Sequence, residues 1–191
     1  VLQDIVHKLL NKEYKRKLVP KKLNATLRNY QVTGFKWLNE ITALGFGGIL
    51  ADDMGLGKTI QVIAFILSQK KTKTLVVTPT SVIYNWKDEF EKFAPTIKLG
   101  LAHGSKASRG KVLDDFKKYD VILTTYGTLK NDEEKYNTLS FDYLIIDEAQ
   151  NIKNHSAQAT ISVKKIKSRC NIALTGTPIE NNLMELWSIF D

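Results

Sequence analysis

The stretch that most constrains this chain is Gly47–Ile60, which reads GGILADDMGLGKTI. A short apolar run, Ile49–Leu50–Ala51, has the character of a buried strand and stops at Asp52–Asp53. A glycine-rich turn follows, with Gly55, Gly57, Lys58 and Thr59. The apolar spacing then turns helical through Ile60, Ile63, Ala64 and Leu67. Strand, Gly-Lys-Thr turn and helix, in that order, form the phosphate-cradling loop of nucleoside triphosphatases. Glycines let backbone N–H groups approach phosphates with no Cβ in the way. The helix N-terminus adds the positive end of its dipole. Lys58 is placed to reach the β- and γ-phosphates, and the Thr59 hydroxyl to bind Mg²⁺. Asp52 stands where the strict pattern has its first glycine. The motif therefore needs support from elsewhere in the chain.

Tyr143–Gln150, YLIIDEAQ, supplies it. An apolar strand delivers Asp147 and Glu148 side by side at its carboxyl end. In a phosphate-loop enzyme the strand-end Asp holds Mg²⁺. The neighbouring Glu can orient and deprotonate the attacking water. An acidic pair at a helix N-terminus is the plain alternative, and Gly57–Lys58–Thr59 in the same chain argues against it. Further on, Thr175–Gly176–Thr177–Pro178 offers two hydroxyls at a strand end. They could hydrogen-bond the carboxylate pair and sense the γ-phosphate; a plain Gly-Pro turn is the alternative.

Strand-length apolar runs recur at Thr74–Thr78, Ile97–Leu101, Val121–Thr124, Tyr143–Asp147 and Ile172–Thr175. Helical patterns lie between most of them, at Ser81–Phe93, Ser108–Tyr119 and Ser156–Lys167. Alternation of this kind predicts an α/β fold, a parallel sheet with helices on both faces. Ligands in such folds bind beyond the carboxyl ends of the strands, where the unusual residues of this chain fall. Upstream, Asn24 reads as the N-cap of a helix over Ala25–Ala43. Its Gln31 has two readings: an amide that pairs the N6 and N7 edge of adenine, or an exposed helix side chain.

At 191 residues the chain is long enough for one well-cored domain. Residues 1–22, with a basic run from Lys12 to Lys22 broken by Pro20, read as a basic N-terminal arm or linker, and 23–191 as the domain. The net charge of +8 favours a polyanionic partner, nucleic acid first. No apolar run approaches the ~18 residues of a membrane-spanning helix, so no membrane partner is expected. The single cysteine, Cys170, has no internal disulfide partner and reads as a small buried hydrophobe. His7, His103 and His155 lack metal-ligand spacing. Trp37 and Trp187 read as core, and Lys164, Lys165, Lys167 and Arg169 as a solvated basic cluster. The closing run Leu183–Asp191 is an amphipathic helix without a cap, so a longer parent chain is expected.

Six segments in order carry a family resemblance: LRNYQ (Leu27–Gln31), DDMGLGKT (Asp52–Thr59), TPTSVIYNW (Thr78–Trp86), TTYGTL (Thr124–Leu129), DEAQ (Asp147–Gln150) and LTGTPIEN (Leu174–Asn181). Together they resemble the first-domain motifs of Swi/Snf-type ATPases, the double-stranded-DNA translocases of helicase superfamily two. The resemblance runs from about Leu23 to Asp191. An Asp at position 52 is usual in that family. The resemblance implies a RecA-like fold that binds ATP and Mg²⁺. Gln31 would contact adenine. Asp53, Met54, Gly55, Leu56, Gly57, Lys58, Thr59 and Ile60 would form the phosphate loop. Thr59 and Asp147 would hold the metal, and Glu148 would be the catalytic base. Gln150, Thr175, Gly176 and Thr177 would couple nucleotide state to movement. Pro79, Thr80, Ser81, Asn85 and Trp86, with His103, Gly104, Ser105, Thr125 and Tyr126, would lie towards the DNA backbone.

Two residues depart from the family pattern. Asn29 replaces a usual Pro, and Gln150 stands where many relatives carry His. The glutamine is similar to bacterial members, which sets the expected location in the nucleoid-bearing cytoplasm; a eukaryotic source would place it in the nucleus. The family motor has a second RecA-like domain that supplies arginine fingers, and this chain is expected to end before it. The expected function is the ATP-binding half of an ATP-dependent double-stranded-DNA translocase that remodels protein–DNA complexes, with polymerase or nucleosomes as possible targets. A nucleic-acid-binding module with a vestigial ATP site, and a strand-separating helicase, are the competing readings.

Overall fold

The computed structural model describes residues 17–53, 55–152 and 158–176. Met54, His155, Thr177, Pro178, Trp187 and the closing helix pattern lie outside them, as do the first 16 residues of the basic arm. A six-stranded sheet forms the centre, in the order β1-β6-β5-β2-β4-β3. The strands are β1 Gly48–Leu50, β2 Thr74–Thr78, β3 Leu99–Ala102, β4 Val121–Thr125, β5 Ser140–Ile146 and β6 Lys167–Leu174. Every pairing is parallel. Parallel neighbours need crossovers, which here carry helices. These are α1 Asn29–Ala43 ahead of the sheet, then α2 Lys58–Ser68, α3 Ile83–Phe93, α4 Lys106–Asp114, α5 Tyr126–Asn131, α6 Glu133–Tyr136 and α7 Gln158–Lys164.

Side-chain alternation explains why both faces are covered. All five residues of β2 are buried. Val76 packs with Phe35 and Leu38 of α1, Val62 to Ile66 of α2, and Ile83, Trp86 and Phe90 of α3. Leu75 and Val77 point the other way, to Leu113 of α4, Leu129 of α5, Tyr136 of α6 and Val163 of α7. A strand buried on both faces gains from apolar residues at every position, which accounts for the near-continuous runs. Cys170 is buried in the first of these clusters, as expected. Among the described residues no helix is long and apolar enough to cross a membrane.

Three expectations change. Helix α1 begins at Asn29 with Arg28 as N-cap. Asn24 does not cap it; its backbone N–H is donated to Phe93 O at 2.8 Å, which ties the entry segment to the end of α3. Strand β6 starts at Lys167, where the sequence shows no apolar run. Pairing with β5, Ser140 opposite Lys167 and Tyr143 opposite Cys170, imposes the extended backbone. Arg169 therefore lies within a strand. Its guanidinium sits 5.2 Å from the Tyr143 ring centre and donates to the Tyr143 hydroxyl at 2.7 Å. Lys165 pairs with Glu133 at 2.6 Å, so this basic cluster is partly engaged rather than wholly solvated.

Candidate functional site

Strands β1 and β5 flank β6. Parallel pairing brings the phosphate-loop segment after β1, the acidic pair after β5 and Thr175 after β6 to one edge of the sheet. Thr175 N–H is donated to Leu50 O at 3.2 Å, and Asp147 N–H to Val77 O at 2.9 Å.

The loop turns on two glycines in the left-handed region, Gly55 (φ 83°) and Gly57 (φ 74°). A Cβ at Gly55 would meet nothing within 4 Å, so the backbone there is open to a ligand. A Cβ at Gly57 would come within 2.6 Å of Gln31 Nε2. Gln31 is buried. Its Oε1 accepts the Arg28 N–H at 2.9 Å and its Nε2 donates to Leu56 O at 3.1 Å. The exposed-side-chain reading of Gln31 is thereby corrected: the amide joins the start of α1 to the phosphate loop. Lys58 turns back on its own loop, with Nζ donating to Asp52 O at 2.7 Å and Asp53 O at 3.1 Å. Asp53 and Leu56 are exposed, while Thr59 and Ile60 are half-buried at the start of α2.

A residue that sequence reasoning missed holds the loop entrance. Gln61 is fully buried, and its Nε2 donates to Asp52 Oδ2 at 3.0 Å. Room for it comes from Gly34 in the middle of α1, where a Cβ would fall 1.9 Å from Gln61 Oε1. The available signal was a glycine inside a helical pattern, which usually has a packing reason.

Asp147 is gripped from both neighbouring crossovers. Its Oδ2 accepts the Trp86 Nε1–H at 2.7 Å, its Oδ1 accepts the Glu148 N–H at 2.9 Å, and its backbone carbonyl accepts the Tyr126 hydroxyl at 2.5 Å. Burial raises the pKa of its carboxyl above the ordinary aspartate value, against the lowering effect of the Trp86 hydrogen bond. Tyr126 is pushed up as well, by its own burial first and by the charges of Asp147 and Glu148 second, so it stays a donor. Glu148 has φ 49°, a left-handed backbone that a non-glycine residue adopts at a cost of about 1–3 kcal/mol. Gln150 Nε2 donates to Glu148 Oε2, and Thr175 Oγ1 donates to Gln150 Oε1 at 2.9 Å. Thr175 thus reaches the acidic pair through Gln150. Gly176 follows it, half-buried.

The residues expected towards DNA divide. Thr80, Ser81 and Asn85 are exposed around the start of α3, and Pro79 is half-buried. Gly104 is exposed beyond β3. His103 is half-buried, with its ring 5.9 Å from that of Tyr84, and Ser105 Oγ accepts Ser108 N–H as the cap of α4. Three residues do not fit the expectation. Trp86 and Thr125 are each 2 % exposed, and Tyr126 is turned onto Asp147. Trp86 is committed to Asp147, and Thr125 Oγ1 caps α5 through Thr128 N–H at 3.2 Å. These three side chains are buried or turned into protein contacts and so do not face a phosphate at the surface.

The donor set suits magnesium. Mg²⁺ is ordinarily held by one or two carboxylates plus substrate phosphates, not by a dedicated protein cage. Asp147 and Thr59 offer that much, and among the described residues there is no cluster of His, Cys, Asp and Glu that would form a cage.

Comparison with known proteins shows the family and the fold. The SNF2-related domain family matches residues 30–191. The chain is 46 % identical over 175 residues to YwqA of Bacillus subtilis, whose name calls it an ATP-dependent helicase/translocase; the match covers 87 % of this chain and 19 % of YwqA. It is 36 % identical over 189 residues to the TATA-binding protein-associated factor mot1 of Aspergillus fumigatus, covering 91 % of this chain and 10 % of mot1. The Sulfolobus solfataricus SWI2/SNF2 ATPase core, solved in complex with double-stranded DNA, superposes with a TM-score of 0.83 at 45 % identity, covering 93 % of this chain and 37 % of that one. The chain thus spans well under half the length of these relatives.

Proposed function

The chain belongs to the SNF2-related domain family and has the RecA-like fold of the SWI2/SNF2 ATPase core, and from that premise we propose that it is the ATP-binding half of an ATP-dependent double-stranded-DNA translocase that remodels protein–DNA complexes. One observation carries the reading. The loop with Lys58 and Thr59, the pair Asp147–Glu148, and Thr175 converge on a single sheet edge from strands that neighbour one another. Asp147 and Thr59 would hold Mg²⁺, which supplies charge neutralisation to the phosphates. Lys58 would exchange its loop carbonyls for β- and γ-phosphate oxygens, since a charged acceptor makes the stronger hydrogen bond. Gln31 would present its amide to adenine. Glu148 would orient the attacking water and take its proton, and Gln150 would hold that carboxylate in place. The exposed start of α3, with Thr80, Ser81 and Asn85, would meet DNA phosphates through hydroxyls, an amide and the helix N-terminus. Such contacts position a protein without reading sequence. Polymerase or nucleosomes are the kind of DNA-bound complex that would be moved.

A charge-stabilising arginine from a second RecA-like unit would complete the site, and such fingers carry ~10³–10⁵ of the rate in phosphoryl transfer. The 191-residue chain alone is therefore expected to bind MgATP and turn it over very slowly. The test measures MgATP binding and turnover on this chain and on a full-length protein containing it, with and without duplex DNA, beside Lys58→Ala. Expected are binding that Lys58→Ala abolishes, DNA-stimulated turnover in the full-length protein only, and displacement of a triplex strand without separation of the duplex. Rapid turnover by the short chain would remove the need for a second unit. Duplex separation would favour the strand-separating helicase, and absence of nucleotide binding in both proteins would favour a plain nucleic-acid-binding module.

A further inference from the structure

Trp86 is an unusual residue to find bonded to a catalytic carboxylate. It lies on α3 directly after Tyr84 and Asn85, which are exposed, yet it is itself 2 % exposed. Its indole packs against Phe90, ring centres 5.9 Å apart, so it moves with its helix. Its N–H reaches across from the β2 crossover to Asp147 Oδ2 at 2.7 Å. An indole can only donate, which suits an ionised carboxylate, and its one N–H is already committed to Asp147. One helix thus ends in solvent at the same edge as the site and, one residue further in, takes hold of the carboxylate that would hold the metal. A hydrogen bond of that length is directional, so a small tilt of α3 alters where Asp147 points.

We propose that Trp86 is a positioning residue that transmits the presence of duplex DNA on the exposed start of α3 to the Asp147 carboxylate, and so to the Mg²⁺-dependent part of nucleotide binding. The inference rests on the reading above that duplex DNA and MgATP are the ligands. It assigns to one hydrogen bond nearly all of the coupling between them. By reciprocity, nucleotide must then tighten or loosen DNA binding by the same factor.

The experiment uses a full-length protein and a fluorescent ATP analogue, titrated with Mg²⁺ or with chelator, in the presence and absence of a short duplex. In the wild type, duplex is expected to change nucleotide affinity in Mg²⁺ by a factor in the usual coupling range of about 5–150. Trp86→Phe keeps a ring against Phe90 and removes the N–H. It is expected to bring that factor to within about twofold of unity, while nucleotide affinity in chelator and duplex affinity without nucleotide stay within about twofold of wild type. Because the smaller ring loosens the core, a second variant carries benzothienylalanine at position 86, which keeps the bicyclic shape without the N–H; the same uncoupling is expected. Retained coupling in the benzothienyl variant overturns the proposal. So does a parallel loss of all the affinities, which is what a purely structural role would give. A wild-type protein that shows no coupling overturns the functional reading and this inference with it. Coupling in the wild type that the variants retain overturns this inference alone.

Discussion

Lys58, at the start of α2, and Asp147, directly after β5, follow the two strands that flank β6, yet they are held in opposite ways. Among the described residues, Lys58 donates to main-chain carbonyls of its own loop, those of Asp52 and Asp53. Asp147 is held by Trp86, 61 residues away, and by Tyr126, 21 residues away. The loop rests in contacts of Lys58 with its own main chain. The carboxylate is oriented by the Trp86 and Glu148 N–H groups, so as a metal ligand it would need little reorganisation. The loop end of the site is therefore built to exchange partners, and the acidic end to keep them. Substitutions should separate the two.

The largest effect is expected from Glu148→Gln. Turnover of a full-length protein should fall by about 10²–10⁴ with MgATP binding retained, because the amide cannot take a proton; isothermal titration beside a phosphate-release assay would show the split. Loss of binding together with turnover would place Glu148 in the binding set instead. Lys58→Ala should abolish measurable nucleotide binding, because the charge-assisted hydrogen bonds to the β- and γ-phosphates are lost. Its thermal midpoint without ligand should stay close to wild type, since only loop carbonyls that water can serve lose a partner. A large drop in midpoint would show that the lysine's loop contacts are structural.

Gly34→Ala touches no ligand-facing atom, yet it must rotate the Gln61 amide away from Asp52, given the 1.9 Å approach of the added Cβ. Nucleotide affinity should weaken by about tenfold, or ~1.4 kcal/mol. An unchanged affinity would mean that the Asp52–Gln61 contact does not shape the loop. The smallest effect is one of pH. Burial raises the Asp147 pKa, so on acidification this carboxylate takes its proton before an ordinary aspartate does. Mg²⁺-dependent nucleotide affinity should accordingly begin to fall at a pH above the ordinary aspartate range, and Asp147→Asn should lack that step. A step at the ordinary aspartate pH would contradict the effect of burial.

Much of the fold was legible because burial on both faces leaves a mark on every strand residue. TLVVT in β2 and the run ending in LII of β5 are apolar at consecutive positions, and the helices between them show their own period. The first turns of β6 were not legible. KSR at its start carries no apolar signal and becomes strand only by pairing with β5. The local shape of the site was legible where one motif contains it, as in the glycine turn of Gly55–Thr59 leading into α2. It was misread where a side chain's direction mattered, as for Trp86, Thr125 and Tyr126, whose segments face the site edge while their side chains turn inward.

The amino-acid sequence alone determined the parallel α/β architecture, the phosphate loop and the acidic pair, because periodicity and local motif spacing are properties of neighbouring residues. Only the tertiary structure decided what holds each group. Gln31 onto Leu56 O, Gln61 onto Asp52, Trp86 onto Asp147 and Thr175 onto Gln150 each join residues from different elements. Such partners are chosen by which strands lie side by side and which way a side chain leaves its helix, and neither is written in any single stretch of the chain.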